Sequence, residues 1–474
     1  MIDFSANNWE SDERTDSVQR FEQALASGDP VFLEMDTYEQ ILDYYHENGD
    51  YTKALRLCQV ANDIYPYSAT VLADKARLLS YLGRTQEAKS CIEDAESLQP
   101  YDTDLLLAKA HIYVDAEEYP KAIDAFEQLL LLSGDDHDLI YTQIGMAHQN
   151  MEDYPRAIHW YNRALETDPL NEEALLELTY CHEQLDTLAD CIATYERVLD
   201  ADPYWQIAWF QLGQIHHKIG DFAAAAHAFE YATIVDQDNQ RAFFWLGHTY
   251  MNLSDYTKAH QAYQKAAGDP DQASADMLCH LGASLERLER YEEALVCYYK
   301  ATKADKGHAA AWYGIGCCLA LQERWYEATH YFGKAVQLDS EETDYLIAKG
   351  KAEYHIGNLI SSTEAYRAAV SKQADNPYAW LDWSLLLYEQ KQYEEAADLM
   401  QSALDMFPED TKVMYRLVAF LMLSGRYREA INHLEIALFL DYDAHEELYH
   451  FFPDIKSQKA IYKLVRQYKH ERNT

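Results

Sequence analysis

A repeated order of small and large side chains runs through most of this chain and restricts what it can fold into. The segments at 50–66, 153–169 and 392–408 share an aromatic residue, an alanine three residues later, a large apolar residue, a second alanine and a closing proline. Aligned on this order, twelve copies of 34 residues fit between 35 and 444, with single extra residues at His137 and Ser274. A period of this length indicates supersecondary units that bury their apolar faces only by stacking on one another.

Numbering the repeat from 1 to 34 shows which positions are constrained. Position 20 is alanine in ten copies and small in the other two, as expected where two helices cross closely. Position 8 is glycine in six copies, and position 24 is aromatic in the middle eight. Apolar residues recur at three- and four-residue spacing in two runs, separated by a short polar turn that often contains glycine. Each copy is therefore predicted to be two amphipathic helices joined by a turn with a left-handed residue.

This pattern resembles the tetratricopeptide repeat (TPR), in which W-x2-L-G-x2-Y is followed by A-x3-F and then by P. The sequences WFQLGQIH at 209–216 and WYGIGCCL at 312–319 match its first half, and the resemblance covers 410 of the 474 residues. It implies an all-α fold, a right-handed superhelical solenoid in which the first helix of every repeat lines a concave surface. The C-terminal region with its FFPD sequence also resembles that of long bacterial repeat proteins.

Both ends of the chain depart from the repeat, as solenoid ends do. Within the first 34 residues we expect a helix over 16–27 and no regular structure over 1–13. The basic C-terminal segment is interpreted as a cap on the last repeat, with recruitment of an acidic partner as the alternative. The expected segments are an acidic N-terminal segment with a capping helix at 1–34, TPR repeats 1–3 at 35–136, repeats 4–7 at 138–273, repeats 8–12 at 275–444, and a C-terminal capping helix at 445–474.

Charge and cysteine usage restrict the partners and the compartment. Lys and Arg number 39 against 80 Asp and Glu, for a net charge of −41, which disfavours nucleic acids and anionic lipid surfaces. No apolar run is long enough to predict a membrane-spanning helix, and no secretory signal is recognised at the N-terminus. The eight cysteines form no CxxC pair. A cytoplasmic location is expected.

The sequence offers little catalytic chemistry. It contains no GxxxxGK[ST], GxGxxG, GxSxG or HExxH motif, so no catalytic residue, cofactor or resident metal is predicted. Glu183, His217 and His248 are of residue types that bind zinc. They belong to separate repeats with nothing to fix a tetrahedral site, so side chains that line a groove are the favoured interpretation.

If the TPR geometry holds, positions 2, 5, 9 and 12 of each repeat face the concave surface. These 48 positions carry a net charge of −5, in proportion to the whole chain, so the sequence does not indicate a groove suited to basic peptides. Glu39 and Asp43 occupy positions 5 and 9 of repeat 1, where co-chaperone TPR proteins have a lysine–asparagine carboxylate clamp. Binding of an acidic C-terminal tail in that manner is not expected.

Aromatic side chains distinguish part of the concave set. Eight of its members are Phe or Tyr, and none lies in the first four repeats. Such residues are common anchors at protein interfaces, although they could equally pack against neighbouring helices. The predicted partner-binding residues are Tyr180, Phe210, Gln214, His217, Arg241, Phe244, His248, Tyr313 and Tyr354.

These observations favour a non-catalytic scaffold or adaptor that binds a protein or peptide in the concave groove. One alternative is a sensor or regulatory subunit whose groove binds a small ligand or peptide. Another is a substrate-selecting subunit of an enzyme complex. Neither nucleic-acid binding nor membrane insertion is expected.

Overall fold

The computed structural model describes residues 6–27, 31–132, 134, 137–269, 272–451 and 458–472. Over these ranges the regular structure consists of 27 α-helices and two short 3-10 helices, with no strand. The chain divides into two compact units between Asp221 and Phe222, inside repeat 6.

In the first unit, α1 (Ala6–Ser27) precedes a series of helix pairs. The first helices of successive repeats are α2 (Met35–Glu47), α4 (Ala69–Tyr81), α6 (Thr103–Asp115), α8 (His137–Asn150), α10 (Glu172–Gln184) and α12 (Gln206–Lys218). The second helices are α3 (Tyr51–Ile64), α5 (Thr85–Leu98), α7 (Tyr119–Leu132), α9 (Tyr154–Thr167) and α11 (Ile192–Ala201), the last preceded by a 3-10 turn at Leu188–Cys191.

The second unit continues the same alternation. Its first helices are α14 (Gln240–Asn252), α16 (Ala275–Arg287), α18 (Ala309–Leu321), α20 (Thr343–His355), α22 (Pro377–Glu389) and α24 (Thr411–Leu423). Its second helices are α13 (Phe222–Val235), α15 (Tyr256–Ala267), α17 (Tyr291–Ala304), α19 (Trp325–Leu338), α21 (Leu359–Lys372), α23 (Tyr393–Met406) and α25 (Tyr427–Leu440). A 3-10 turn at Asp443–His445 leads to α26 (Glu446–Phe451) and α27 (Lys459–Arg472).

The helices begin where the repeat alignment places them. In eleven of the twelve repeats the first helix starts on the first residue of the aligned copy, and α8 starts one residue earlier, at His137. Within each unit, helices pack mainly on their neighbours along the chain. The described part of the molecule therefore has the all-α, tandem helix-pair architecture predicted from the period.

The N-terminal helix is longer than predicted. The expectation that 1–13 lacks regular structure is wrong for 6–13, because α1 begins at Ala6 and no glycine or proline interrupts it before Ser27. Residues 1–5 lie outside the described part of the chain. Val18 and Phe21 of α1 are buried in one cluster with Tyr38 and Ile41 of the first repeat, so the helix covers the apolar end of that repeat.

The C-terminal segment contains two helices. Helix α26 packs on α24, and α27 packs on α25. Phe451, Ile461 and Val465 are buried in the same cluster as the last repeats. Both helices thus pack on the last repeat, and a capping role and recruitment of an acidic partner both stay predictions.

The turn between the two helices of each repeat holds one residue in the left-handed region. At position 15, φ lies between 55° and 87° in all twelve repeats. Five of these residues are glycine, which adopts this conformation without steric cost. The other seven carry side chains and are strained there. They are Glu117, Glu152, Asp186, Ser254, Glu289, Glu323 and Lys391.

Glycine at position 8 of a repeat lies against the aromatic ring at position 24 of the same repeat. A Cβ atom added to Gly145, Gly247, Gly282 or Gly316 would lie 2.5–2.8 Å from a ring carbon, closer than packed carbon atoms approach. The two helices of such a repeat can therefore pack at this distance only if the residue has no side chain. The repeated spacing of positions 8 and 24 along the sequence is thus a packing constraint in the helix pairs that have glycine at position 8.

We predict that Gly316→Ala destabilises the protein by about 1–3 kcal/mol, because the new methyl group would lie 2.5 Å from the Phe332 ring. Gly333→Ala is the matched control: it lies in α19, and nothing stands within 4 Å of its added Cβ. Removing a helical glycine there should stabilise by about 0.5–1 kcal/mol. Denaturation midpoints of the two variants measure the difference, and equal destabilisation would contradict the packing argument.

Candidate functional site

A cavity of about 350 Å³ lies in the second unit between helices α16, α18, α19, α20 and α22. Its lining combines three aromatic rings, three carboxylates and one ammonium group. The rings are those of Tyr313, Trp325 and Phe332, the carboxylates those of Glu286, Asp344 and Asp382, and the ammonium that of Lys351. We call this the central cavity.

Most of the polar lining comes from the positions expected to face a concave surface. Asp344 occupies position 2 of its repeat, Tyr313 position 5, Lys351 position 9 and Glu286 position 12. They belong to repeats 8, 9 and 10. Three successive first helices thus direct these positions into one space.

The aromatic wall is held by ring contacts. The Trp325 ring stacks on His355, with centroids 3.8 Å apart and planes 12° from parallel. Tyr313 lies 4.8 Å from the Tyr345 ring and 5.7 Å from Phe332, measured between centroids. Such contacts stabilise rings in fixed orientations. The wall is therefore formed before any ligand arrives.

Glu286 connects the cavity to the packing of its own repeat. Its Oε2 atom accepts a hydrogen bond from the Tyr298 hydroxyl at 3.2 Å and a weaker one from the Cys318 thiol. Burial raises the pKa of Glu286, and these hydrogen bonds and nearby Arg287 offset only part of that rise. The Tyr298 ring is itself enclosed by Gly282 and Gly314. The carboxylate is thus fixed in position and poorly solvated.

The other two carboxylates approach from α20 and α22. Burial also raises the pKa of Asp382, and Lys351 opposes the rise from a distance. Asp344 is exposed in the first turn of α20. Among the described residues, Glu286, Asp344 and Asp382 form no ion pair within 4 Å, and neither does Lys351. The cavity therefore contains charged groups that no neighbouring side chain neutralises by direct contact.

A smaller cavity of about 180 Å³ adjoins the central cavity. The two share Lys351 and Asp382, and the smaller one is also lined by Tyr354, His355 and Tyr366. Tyr354 donates a hydrogen bond to Glu389, and burial raises its pKa to about 12. Two of the predicted residues thus line adjoining cavities: Tyr313 of α18 lines the central cavity and Tyr354 of α20 the smaller one.

Phe244 and His248 lie together elsewhere in the second unit. The His248 ring is 4.6 Å from Phe244 and 4.6 Å from His280, which the sequence did not single out. Tyr263 stacks on His280 at 5.5 Å. Phe244 and His248 are half-buried within this ring cluster. Arg241 is exposed at the start of the same helix.

The remaining predicted residues belong to the first unit. Tyr180 is 45% exposed and makes an edge contact with Tyr154. Phe210 is buried, and Gln214 and His217 are half-buried on the same helix, α12. Burial lowers the pKa of His217, which favours its neutral form. A shared binding role for the nine residues stays a prediction.

Sequence reasoning missed several residues of the central cavity. Glu286 and Lys351 occupy positions 12 and 9, which are among the positions expected to face the concave surface. They were missed because the prediction was built around aromatic residues. Trp325 is the one tryptophan at position 17 of any repeat, which was a usable signal. Asp382 occupies position 6, outside the four concave positions, and only the packing of α22 brings it into the cavity.

No set of three or more His, Cys, Asp or Glu side chains in the described ranges is arranged to hold a metal ion. None of the helices within those ranges combines the length and the apolar character needed to cross a membrane.

We predict that Glu286→Gln is at least as stable as the wild type at neutral pH, because it removes a poorly solvated charge and keeps an acceptor for Tyr298. A raised pKa means that the wild type loses stability as pH rises above the ordinary glutamate value of 4.5. The advantage of the glutamine variant should therefore grow as the pH rises above about 4.5. Thermal melts across this range measure it.

Glu286→Ala is the matched comparison. It removes the same charge but leaves the buried Tyr298 hydroxyl without this acceptor, which should cost about 1–3 kcal/mol. If both variants melt alike at every pH, Glu286 is not held as described.

Comparisons with known proteins agree with this architecture. The family model described as "Tetratricopeptide repeat" matches 142–204, 210–275, 280–343 and 347–411, together more than half of the chain. A second model of that description matches 387–450. The model "Psidin, N-terminal TPR repeats region" matches 38–160.

Similar curated proteins match over shorter stretches. The chain is 30% identical over 141 residues to BBSome complex member BBS4 of Mus musculus, which covers 30% of this chain and 26% of that protein. It is 21% identical over 164 residues to TPR repeat-containing protein MJ1428 of Methanocaldococcus jannaschii, covering 32% and 29%. The matched part thus spans between a quarter and a third of each relative.

Solved structures give low overall superposition. The Cut9–Hcn1 hetero-tetramer of the APC/C has a TM-score of 0.40 at 12% identity, covering 90% of this chain and 96% of that chain. YrrB, described as a TPR protein with an unusual peptide-binding site, has a TM-score of 0.32 at 21% identity, covering 39% and 95%. On the strength of the family models, the chain belongs to the tetratricopeptide repeat family, whose scaffolds are consistent with protein–protein interaction.

Proposed function

We propose that the protein is a non-catalytic scaffold that holds a segment of a partner protein against helices α16, α18, α20 and α22. The observation that carries this proposal is the central cavity, where concave positions of three successive repeats meet. Pockets that accept side chains are the parts of an interface that contribute most to affinity.

The arrangement of the cavities supports a segment as the occupant. The central cavity and the smaller one share Lys351 and Asp382, so they follow one another along the first helices. An extended peptide presents successive side chains to successive pockets. Two adjoining spaces of about 350 and 180 Å³ suit two such side chains.

The aromatic lining supports an anchoring role. Tyr313 and Trp325 carry large apolar surfaces and few rotatable bonds, so little conformational entropy is lost when they contact a partner. Both are already fixed by ring contacts in the free protein.

The chemistry of Cys317 supports the absence of catalysis. This thiol lines the central cavity, and burial raises its pKa to about 12. It is therefore protonated at neutral pH and is a poor nucleophile.

One relative is a member of a multiprotein complex, which supports assembly as the role. All eight cysteines are free thiols, which supports a reducing compartment such as the cytoplasm.

A sensor of small ligands is the second candidate. The volume of the central cavity falls within the range of about 300–1,000 Å³ that is typical of small-molecule sites. A sensor would respond to free small molecules and show no preference for peptides, which separates it from the scaffold in the following experiment.

We predict that selection of a displayed random-peptide library on the full chain enriches peptides whose binding requires Tyr313. Tyr313→Ala should weaken them by about tenfold or more, because an aromatic anchor of the cavity is lost. Fluorescence anisotropy with the synthetic peptides measures the affinity, and circular dichroism checks that the helices persist.

Tyr326→Ala is the matched control. Tyr326 is 76% exposed on α19, one residue from Trp325, and does not line the cavity. Its removal should leave peptide affinity unchanged. A failure to enrich peptides, or enriched peptides indifferent to Tyr313→Ala, would contradict the proposed site.

A further inference from the structure

The central cavity carries more negative charge than its own cation neutralises. Glu286, Asp344 and Asp382 enter it from three helices, while Lys351 is the single basic residue among the described residues that line it. The Arg416 guanidinium forms an ion pair with Glu447 at 2.6 Å. It attracts Asp382 only from a distance. When ionised, the lining has a net negative charge.

The position of these charges makes their excess unfavourable in the free protein. Glu286 and Asp382 are half-buried, and neither has a cation in contact among the described residues. A half-buried carboxylate without a cation in contact loses hydration, and the hydrogen bonds that Glu286 accepts from Tyr298 and Cys318 replace only part of it. A cation that enters the cavity would replace that hydration.

The aromatic wall also favours a cation. Tyr313, Trp325 and Phe332 line the same space as the carboxylates. Aromatic faces attract Lys and Arg side chains, most strongly those of tryptophan. They also pack against the apolar stem that carries the charged head of such a side chain.

The geometry suits an organic cation better than a metal ion. The three carboxylates surround a cavity of about 350 Å³, and no set of three such side chains in the described ranges is arranged to hold a metal. A water-sized occupant takes only about 30 Å³. A long side chain with a charged end uses both the volume and the mixed lining.

From these observations we infer that the central cavity binds a lysine or arginine side chain of a partner segment, with its charged head among Glu286, Asp344 and Asp382. The inference rests on the proposed function and specifies the chemistry of the partner: a basic segment held by a strongly acidic protein. The adjoining smaller cavity then takes a neighbouring side chain of the same segment.

The test uses the full chain and the peptides selected on it. We expect lysine or arginine at one fixed position of the enriched peptides. Replacing that residue by citrulline, which keeps the shape of arginine without its charge, should weaken binding to the wild type by about 10- to 100-fold. This comparison does not depend on the folding of any protein variant.

A protein variant supplies the reciprocal test. Glu286→Gln with Asp382→Asn removes two charges of the cavity and should weaken the basic peptide by a similar factor while leaving the citrulline peptide unaffected. Asp375→Asn with Glu394→Gln removes two exposed charges of the same unit that do not line the cavity. Binding to this control should equal binding to the wild type, apart from long-range attraction that salt screens.

The outcomes distinguish the two proposals. Enriched peptides that require Tyr313 but lack a fixed basic residue, or whose binding is unchanged by citrulline, would overturn the inference. The proposed scaffold function would still stand. An equal loss of peptide affinity in the double variant and in its control would also overturn the inference, because the effect of charge would then be general. Failure to obtain any Tyr313-dependent peptide would overturn the proposed function, and the inference with it.

Discussion

Where position 8 is glycine, the contact between that residue on the first helix and a ring on the second sets the spacing of the helix pair. Where Gly282 meets Tyr298, the same ring also supports the candidate site, since its hydroxyl holds Glu286 in the central cavity. Close packing and charge placement therefore depend on one side chain. A change at the glycine would displace the ring, and with it the acceptor that faces the cavity.

The fold was largely predictable because its determinants are local and repeated. Alanine at position 20 and glycine at position 8 recur at a fixed spacing, so twelve weak signals combine into a strong one. The helix starts follow that spacing to within one residue. The N-terminal helix was underestimated because α1 belongs to no repeat, and composition alone had to indicate where it begins.

The site was predictable only in part, for a different reason. Tyr313 and Tyr354 stand out as aromatics at concave positions and do line adjoining cavities. Charge was averaged over all 48 concave positions, and the average concealed the local excess formed by Glu286 and Asp344. Asp382 comes from a position outside that set. Which carboxylates share a space depends on the packing of successive helices, and a single repeat does not encode it.

The left-handed turn residues have a consequence for motion. Each repeat gains most of its stability from its neighbours, so strain in one turn lowers the free energy of opening locally and not across the whole chain. Turns with Gly357 or Gly425 carry no such strain, whereas those with Glu323 and Lys391 do. Glu323 joins α18 to α19, whose residues form part of the central cavity. Amide hydrogens around such turns would exchange with solvent faster than those in neighbouring turns that contain glycine. Local opening would then be most frequent beside the central cavity, where a partner is proposed to bind.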